Sequence, residues 1–143
     1  MNPSSPTTAL QLRSLVQANG TLQISLELSP VPTPGPDEVL IQVQATPINP
    51  SDIGLLLGPA DLSTVQVTGT AERPVATASI PERAMPGMAA RLGQSMPVGN
   101  EGAGLVVAAG ASPAAQALLG RTVAVIGGAM YSQYRSMPAA QCL

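Results

Sequence analysis

The chain has 143 residues, a length typical of one domain, and it contains no His, Phe, Trp or Lys. Without His the chain cannot form a Ser-His-Asp or Cys-His nucleophile by itself, and a single Cys cannot build a structural zinc site. Six Arg against eight acidic residues give a net charge of −2, which argues against nucleic acid or anionic lipid as a partner.

The amino-terminal residues and the distribution of apolar residues predict a cytoplasmic protein. Residues 1–9 are polar and Pro-rich, which predicts a flexible leader, and no basic residue precedes an apolar run as it does in a signal peptide. The longest apolar stretch, around Gly102–Ala111, is too short to cross a bilayer. The single cysteine, Cys142, permits no internal disulfide, which fits a reducing compartment.

Two alternating segments predict half-buried strands. In Leu22–Leu28 every second residue is Leu or Ile, with polar residues between them, and Val39–Ala45 repeats the pattern. The intervening segment, Pro30–Pro36, contains four prolines, which lack the N–H group that a strand ladder needs. We therefore expect an exposed loop between the two strands.

The next segment is typical of a helix start. Asn49 is a preferred N-cap residue, Pro50 fits the first helical position, and Asp52 suits the positive end of the helix dipole. Gly58 is expected to end this helix. The elements predicted farther along are a strand at Arg73–Ser79, a helix at Met88–Leu92, a strand at Gly104–Ala109, a helix from Ser112 to Gly120, and strands at Thr122–Ile126 and Tyr131–Met137.

Short strands and turn-forming residues dominate this pattern. Fifteen Pro and fourteen Gly are too many for a helix bundle and suit a loop-rich β structure. We expect a mainly β fold with a few short helices, arranged as a Greek-key barrel or sandwich.

A glycine-rich segment, Gly99–Gly104, surrounds one acidic residue. Its glycines suit a tight bend where backbone approaches backbone or a ligand, and of the two interpretations we favour an ordinary turn between strands. Glu101 lies in an otherwise uncharged stretch, so a buried Glu101 would need a partner, which Arg91 or Arg121 could supply. We favour this structural pairing over a catalytic role.

Three segments in order carry a resemblance to a known family. They are Pro34–Val43, Ile48–Ile53 and Val98–Gly104, the last continued by Val106, Gly110 and Leu119–Val125. Together with the ending Met130–Arg135, they resemble the N-terminal GroES-like domain of the medium-chain dehydrogenase/reductase superfamily, in particular its quinone oxidoreductase branch. The resemblance covers residues 10–143 except Pro59–Pro97, which is longer than the usual link.

The resemblance implies a fold and a domain organisation. It implies a GroES-like, partly open Greek-key β-barrel over residues 10–143. In the family a Rossmann domain follows this segment, and strands from the far carboxyl end complete the barrel, but these residues contain no Gly-rich dinucleotide-binding unit. We therefore expect a truncated domain, inactive by itself, with an incomplete barrel whose unpaired edge and apolar face favour a homodimer.

The resemblance also implies a reaction and a site. In the full protein, NADPH would deliver hydride to a small apolar conjugated carbonyl compound or quinone. Asn49 and Asp52 would lie at the nicotinamide end of NADPH, although helix capping explains both residues without a cofactor. Zinc-dependent relatives carry Cys and His where Asn49 and Asn100 stand, so zinc chemistry is excluded. No catalytic residue is assigned, and we interpret Tyr131 and Tyr134 as half-buried strand residues.

Three alternatives remain open. An enoyl-thioester reductase of the same superfamily would carry a Tyr shortly after the first helix, where this chain has Gly58–Asp61. A non-catalytic interaction module of the GroES co-chaperonin type would use Pro59–Pro97 as a mobile loop, but it would leave the NPSD and VGNEGAG segments without a role. The third alternative is a free-standing module that binds a small molecule.

Overall fold

The computed structural model describes residues 6–143, which form nine strands, two short α-helices and two 3₁₀ segments. The strands are β1 (Thr8–Val16), β2 (Thr21–Pro30), β3 (Glu38–Ala45), β4 (Asp61–Gly69), β5 (Pro74–Ser79), β6 (Ser95–Pro97), β7 (Glu101–Ala109), β8 (Thr122–Ile126) and β9 (Tyr134–Pro138). The α-helices are α1 (Pro50–Leu57) and α2 (Pro113–Gln116), and the 3₁₀ segments are Glu82–Arg91 and Ala139–Gln141. This set of strands and helices confirms the prediction of a mainly β fold with a few short helices.

The strands form two antiparallel sheets. The order is β4-β5-β2-β1-β6 in the five-stranded sheet and β8-β7-β3-β9 in the four-stranded sheet. Neither sheet closes into a barrel over residues 6–143, which is consistent with a partial GroES-like fold. In the same residues, no helix has the length and apolar character needed to span a membrane.

The contacts divide the chain into two compact units. Unit 1 comprises the residues up to Gln11, together with Leu28–Pro47 and Gly99–Leu143, and it contains the whole four-stranded sheet. Unit 2 comprises Leu12–Glu27 and Ile48–Val98. Two of the four boundaries between the units fall within β1 and β2, so each of these strands contributes residues to both units.

Each unit has its own hydrophobic cluster, made of aliphatic and Met side chains because the chain lacks Phe and Trp. The buried cluster of unit 1 contains Val39, Ile41, Val106, Ala115, Val123, Val125, Met130, Met137 and Ala139. The buried cluster of unit 2 contains Val16, Leu22 and Ile80, with Ala60, Ala84, Met85 and Met88 packed against it. Strand β3 pairs with both β7 and β9. Its predicted alternation gives way to continuous burial of Val39–Ile41, since Leu40, on the face opposite Val39 and Ile41, is also buried.

Two predictions for the first hundred residues need correction. The leader predicted for residues 1–9 lies partly outside the described residues, and it ends earlier than predicted because β1 begins at Thr8. The helix predicted at Met88–Leu92 is the end of a 3₁₀ segment that begins at Glu82. Pro86 lies inside this segment and cannot donate a helical hydrogen bond, which disfavours a regular α-helix.

Elements elsewhere were missed or misplaced. Helix α2 ends at Gln116 instead of Gly120, and β9 begins at Tyr134 instead of Tyr131. Strand β4 was not predicted because it is exposed at every position, so no core imposes an alternating pattern on its residues. Strand β6 has only three residues, which is too short for a periodic signal.

Candidate functional site

The amino end of α1 has the capping arrangement that the sequence predicts. Asn49 precedes the helix in an extended conformation (φ −93°, ψ 157°), Pro50 is the first helical residue, and Asn49 and Asp52 form a capping box. The Asp52 carboxylate accepts a hydrogen bond from the Asn49 backbone N–H at 2.9 Å. Such a cap satisfies backbone N–H groups that the helix itself leaves unpaired.

The two predicted site residues differ in accessibility. Asp52 is only 1% exposed, and its carboxylate accepts the Asn49 backbone N–H inside the cap. Asn49 is half-buried, and its sequence neighbours Ile48 and Ile53 are 73% and 46% exposed. A ligand at this end of the helix would therefore meet the Asn49 amide beside apolar side chains.

The carboxyl end of α1 is held by Arg91, for which the sequence suggested a different role. Arg91 Nη2 donates to the Leu55 carbonyl oxygen and to Ser14 Oγ, each at 2.8 Å. Ser14 is fully buried, and its hydroxyl lies 3.3 and 3.2 Å from the carbonyl oxygens of Leu55 and Leu56. A cation at these last carbonyl groups also interacts favourably with the negative end of the helix dipole.

Burial changes the chemistry of the Arg91 guanidinium. Its Nε is buried and has no hydrogen-bond partner among residues 6–143, and desolvation lowers the pKa of the group. Its bonded partners Leu55 and Ser14 are 36 and 77 residues away in sequence, which is why no local pattern pointed to them. The pairing of Glu101 with Arg91 or Arg121 stays a prediction.

The glycines of Gly99–Gly104 bring backbone close to backbone within unit 1. A Cβ on Gly102 would lie 2.9 Å from the Ala45 carbonyl oxygen. A Cβ on Gly104 would overlap the Gln42 carbonyl group across the β3–β7 pairing. These close approaches support the interpretation of the segment as structural.

Tyr131 anchors the chain that leaves β3. Its hydroxyl donates to the Pro47 carbonyl oxygen at 3.0 Å, and its backbone lies against Gly99, where a Cβ would come within 2.6 Å of the Tyr131 nitrogen. Tyr131 and Tyr134 are both half-buried, as predicted, but only Tyr134 belongs to a strand. Tyr131 therefore has a visible structural role.

A groove of about 410 Å³ lies in unit 1 beside Glu101, which begins β7 opposite Ile126 of β8. The polar side chains at the groove belong to Thr46 and Glu101. Its other lining residues are Ala45, Pro47, Gly102, Ala103, Ala124, Val125, Ile126 and Leu143. The groove thus offers an apolar surface with one carboxylate at its margin.

The described residues contain few reactive groups. Burial raises the pKa of the Cys142 thiol, which lowers the fraction of nucleophilic thiolate, and its Sγ lies 3.7 Å from the Pro138 carbonyl oxygen. Over residues 6–143, no three side chains of the His, Cys, Asp or Glu types lie together in a way that could hold a metal ion.

Comparison with known proteins identifies the fold. The sequence matches no known family profile and no curated protein. A crystal structure from Mesorhizobium loti, described as a "putative NADPH:quinone reductase", is similar over 99% of this chain, with a TM-score of 0.60 and 24% sequence identity. The match covers 37% of that protein, so this chain spans little more than a third of its length. The two antiparallel sheets described above thus have the fold of one part of this larger protein.

Proposed function

We propose that this chain is the substrate-side part of an NADPH-dependent, zinc-independent oxidoreductase that reduces quinones or conjugated carbonyl compounds. The observation that carries the proposal is the fold, which matches part of a protein described as an NADPH:quinone reductase over 99% of this chain. The sequence motifs that resemble the quinone oxidoreductase branch support the same activity. They include the NPSD segment that caps α1.

The side chains at the start of α1 suit one part of NADPH. The Asn49 amide has one acceptor oxygen and two donor hydrogens, which complement the carboxamide of a nicotinamide ring. NADPH, when bound, supplies the hydride. Asn49 would orient the carboxamide, and Asp52 would orient Asn49 through the capping box.

A ligand titration of the 143-residue chain tests the Asn49 contact directly. We expect reduced nicotinamide mononucleotide, at millimolar concentration, to shift the NMR signals of the Asn49 side-chain amide. Adenosine 2′,5′-bisphosphate, the other half of NADPH, should not shift them. If adenosine 2′,5′-bisphosphate produces the larger change, or if both probes leave Asn49 unaffected, the assigned contact is wrong.

Affinity for the whole cofactor provides a second measurement. Because the chain lacks a Gly-rich dinucleotide-binding unit, we expect it to bind NADPH at least roughly a thousandfold more weakly than a complete reductase and to show no reductase activity. Calorimetry that finds micromolar NADPH binding to this chain would contradict this expectation.

Substitutions of Asn49 in the complete oxidoreductase separate capping from cofactor binding. Ser and Asp cap helices about as well as Asn, so Asn49→Ser and Asn49→Asp should keep the melting temperature within a few degrees. Neither side chain presents the paired donor and acceptor of an amide, so turnover should fall about tenfold or more. A fully active Asn49→Ser enzyme would show that Asn49 is only a helix cap.

A further inference from the structure

Strand β4 presents a free edge to solvent. All nine residues of Asp61–Gly69 are exposed, and the strand lies at the end of the five-stranded sheet. Its large apolar residues Leu62, Val65 and Val67 are 54%, 44% and 69% exposed. The strand contains no Pro, Lys or Arg, the residues that commonly protect an edge strand against pairing with another chain.

The backbone of β4 alternates between groups that face β5 and groups that face away. The hairpin turn closes with the Thr70 N–H donating to the Arg73 carbonyl oxygen at 3.3 Å. Because bonding alternates along an antiparallel pair, Gln66 faces β5, whereas Val67 directs its N–H and C=O away from it. The register of the β4–β5 pair shifts between Asp61 and Gln66, so the observed alternation covers Gln66–Gly69, and the pairing proposed below extends it to Val65. These outward groups are available to an additional strand.

The middle of β4 reads the same in both directions around Gln66, as Thr64-Val65-Gln66-Val67-Thr68. We propose that a second copy of this chain pairs with β4 in antiparallel orientation, about a two-fold axis at Gln66. Val65 of one copy then lies opposite Val67 of the other, and Thr64 lies opposite Thr68. Each Val pair exchanges the two backbone hydrogen bonds of a bonded antiparallel pair.

The palindrome favours a second copy over an unrelated extended segment. A two-fold interface must be complementary to itself, and within Thr64–Thr68 this register places only like residues opposite one another, whereas the flanking Ser63 lies opposite Gly69. Cross-strand pairs of β-branched residues and of threonines are stabilising. A strand of this length buries less area than the roughly 800 Å² per partner of standard interfaces, so the dimer should be weak and dissociate on dilution. The inference is independent of the proposed reductase activity.

Disulfide crosslinking tests the position of the axis. In a Cys142→Ser background, Gln66→Cys places two thiols opposite each other at a non-bonded pair, where the Cα atoms lie about 4.5 Å apart. The matched control is Thr68→Cys, whose two thiols would lie roughly 13 Å apart along the strands. We expect Gln66→Cys to form a covalent dimer at least tenfold faster under mild oxidation. Equal rates for the two variants would overturn the proposal.

Sedimentation equilibrium of the purified chain, from micromolar to millimolar concentration, tests whether self-association uses the edge of β4. Val67→Lys should weaken self-association at least tenfold because it places a charge on the pairing edge. The control is Ile126→Lys on β8 of unit 1, since Ile126 is also 69% exposed, and it should leave self-association unchanged. A chain that stays monomeric at millimolar concentration, or one whose association depends on Ile126 instead of Val67, would overturn the proposal.

Discussion

Unit 1 and unit 2 are stabilised by different kinds of interaction. Unit 1 has a buried cluster of nine aliphatic and Met residues and a sheet whose strands approach closely at Gly102 and Gly104. Unit 2 has a buried cluster of three residues. Its polar contacts include the capping box at the start of α1 and the Arg91 bonds at its end. Unit 2 also carries β4, whose side chains are all exposed.

The difference shows where functional residues can be placed. A helix with polar bonds at both ends keeps a definite position with little apolar burial, so Asn49 can be half-buried and still be oriented. The close-packed sheet of unit 1 restricts side-chain size, because a single added methyl group at Gly104 meets the backbone of a neighbouring strand. Three experiments sharpen the comparison.

The first experiment adds one methyl group to the close sheet of unit 1. Gly104→Ala should destabilise the chain by about 3 kcal/mol, measured by urea unfolding, because the new Cβ overlaps the Gln42 carbonyl group. Gly54→Ala is the matched control in unit 2, since a Cβ there meets nothing within 4 Å and the residue is helical. The control should stabilise the chain by about 0.5–1 kcal/mol. Equal effects of the two substitutions would contradict the comparison.

The second experiment removes the polar support of unit 2. Arg91→Met keeps a long apolar side chain but loses the hydrogen bonds to the Leu55 carbonyl and Ser14, and it should cost about 2 kcal/mol. Hydrogen exchange of the backbone N–H groups at the end of α1 should accelerate in this variant. Arg83→Met, at an exposed position of the same 3₁₀ segment, should change stability by less than about 0.5 kcal/mol. If both variants behave alike, Arg91 does not support the helix.

The third experiment measures a polar contact in unit 1. The Glu38 carboxylate accepts hydrogen bonds from the Gly35 N–H and from the Ser136 hydroxyl, each at 3.0 Å. The Gly35 bond contributes most to lowering the pKa of Glu38, followed by the Ser136 bond and the charge of Arg135. The stabilisation is therefore complete above the pKa of an unfolded glutamate and is lost as the pH falls through the lowered pKa.

This pH effect should be the smallest of the three because Glu38 is only half-buried, so water screens its charge. An NMR titration of the Glu38 carboxyl group should give a pKa below the ordinary glutamate value. In Ser136→Ala the pKa should move back towards that value. No change in the Ser136→Ala variant would show that the hydroxyl does not stabilise the charged carboxylate.

The sequence by itself determined the elements whose signals are local. The positions of β2 and of the first helix were predicted correctly because alternation and capping act between residues a few positions apart. The predicted burial within β2 was only partly right, since Ser25 is buried and Leu28 is 53% exposed. The same holds for the mainly β fold, which follows from the frequency of Pro and Gly and from the short alternating segments.

Only the tertiary structure decided the remaining features, because their causes are far apart in the chain. Arg91 meets Ser14 across 77 residues, and no local pattern distinguishes it from the exposed Arg83. Strand β4 owes its extended form to pairing with β5, and without a buried face it has no periodic signal. The symmetry of β4 around Gln66 is present in the sequence. It becomes relevant only because the fold places β4 at a sheet edge, where its backbone can pair with a second copy of the chain.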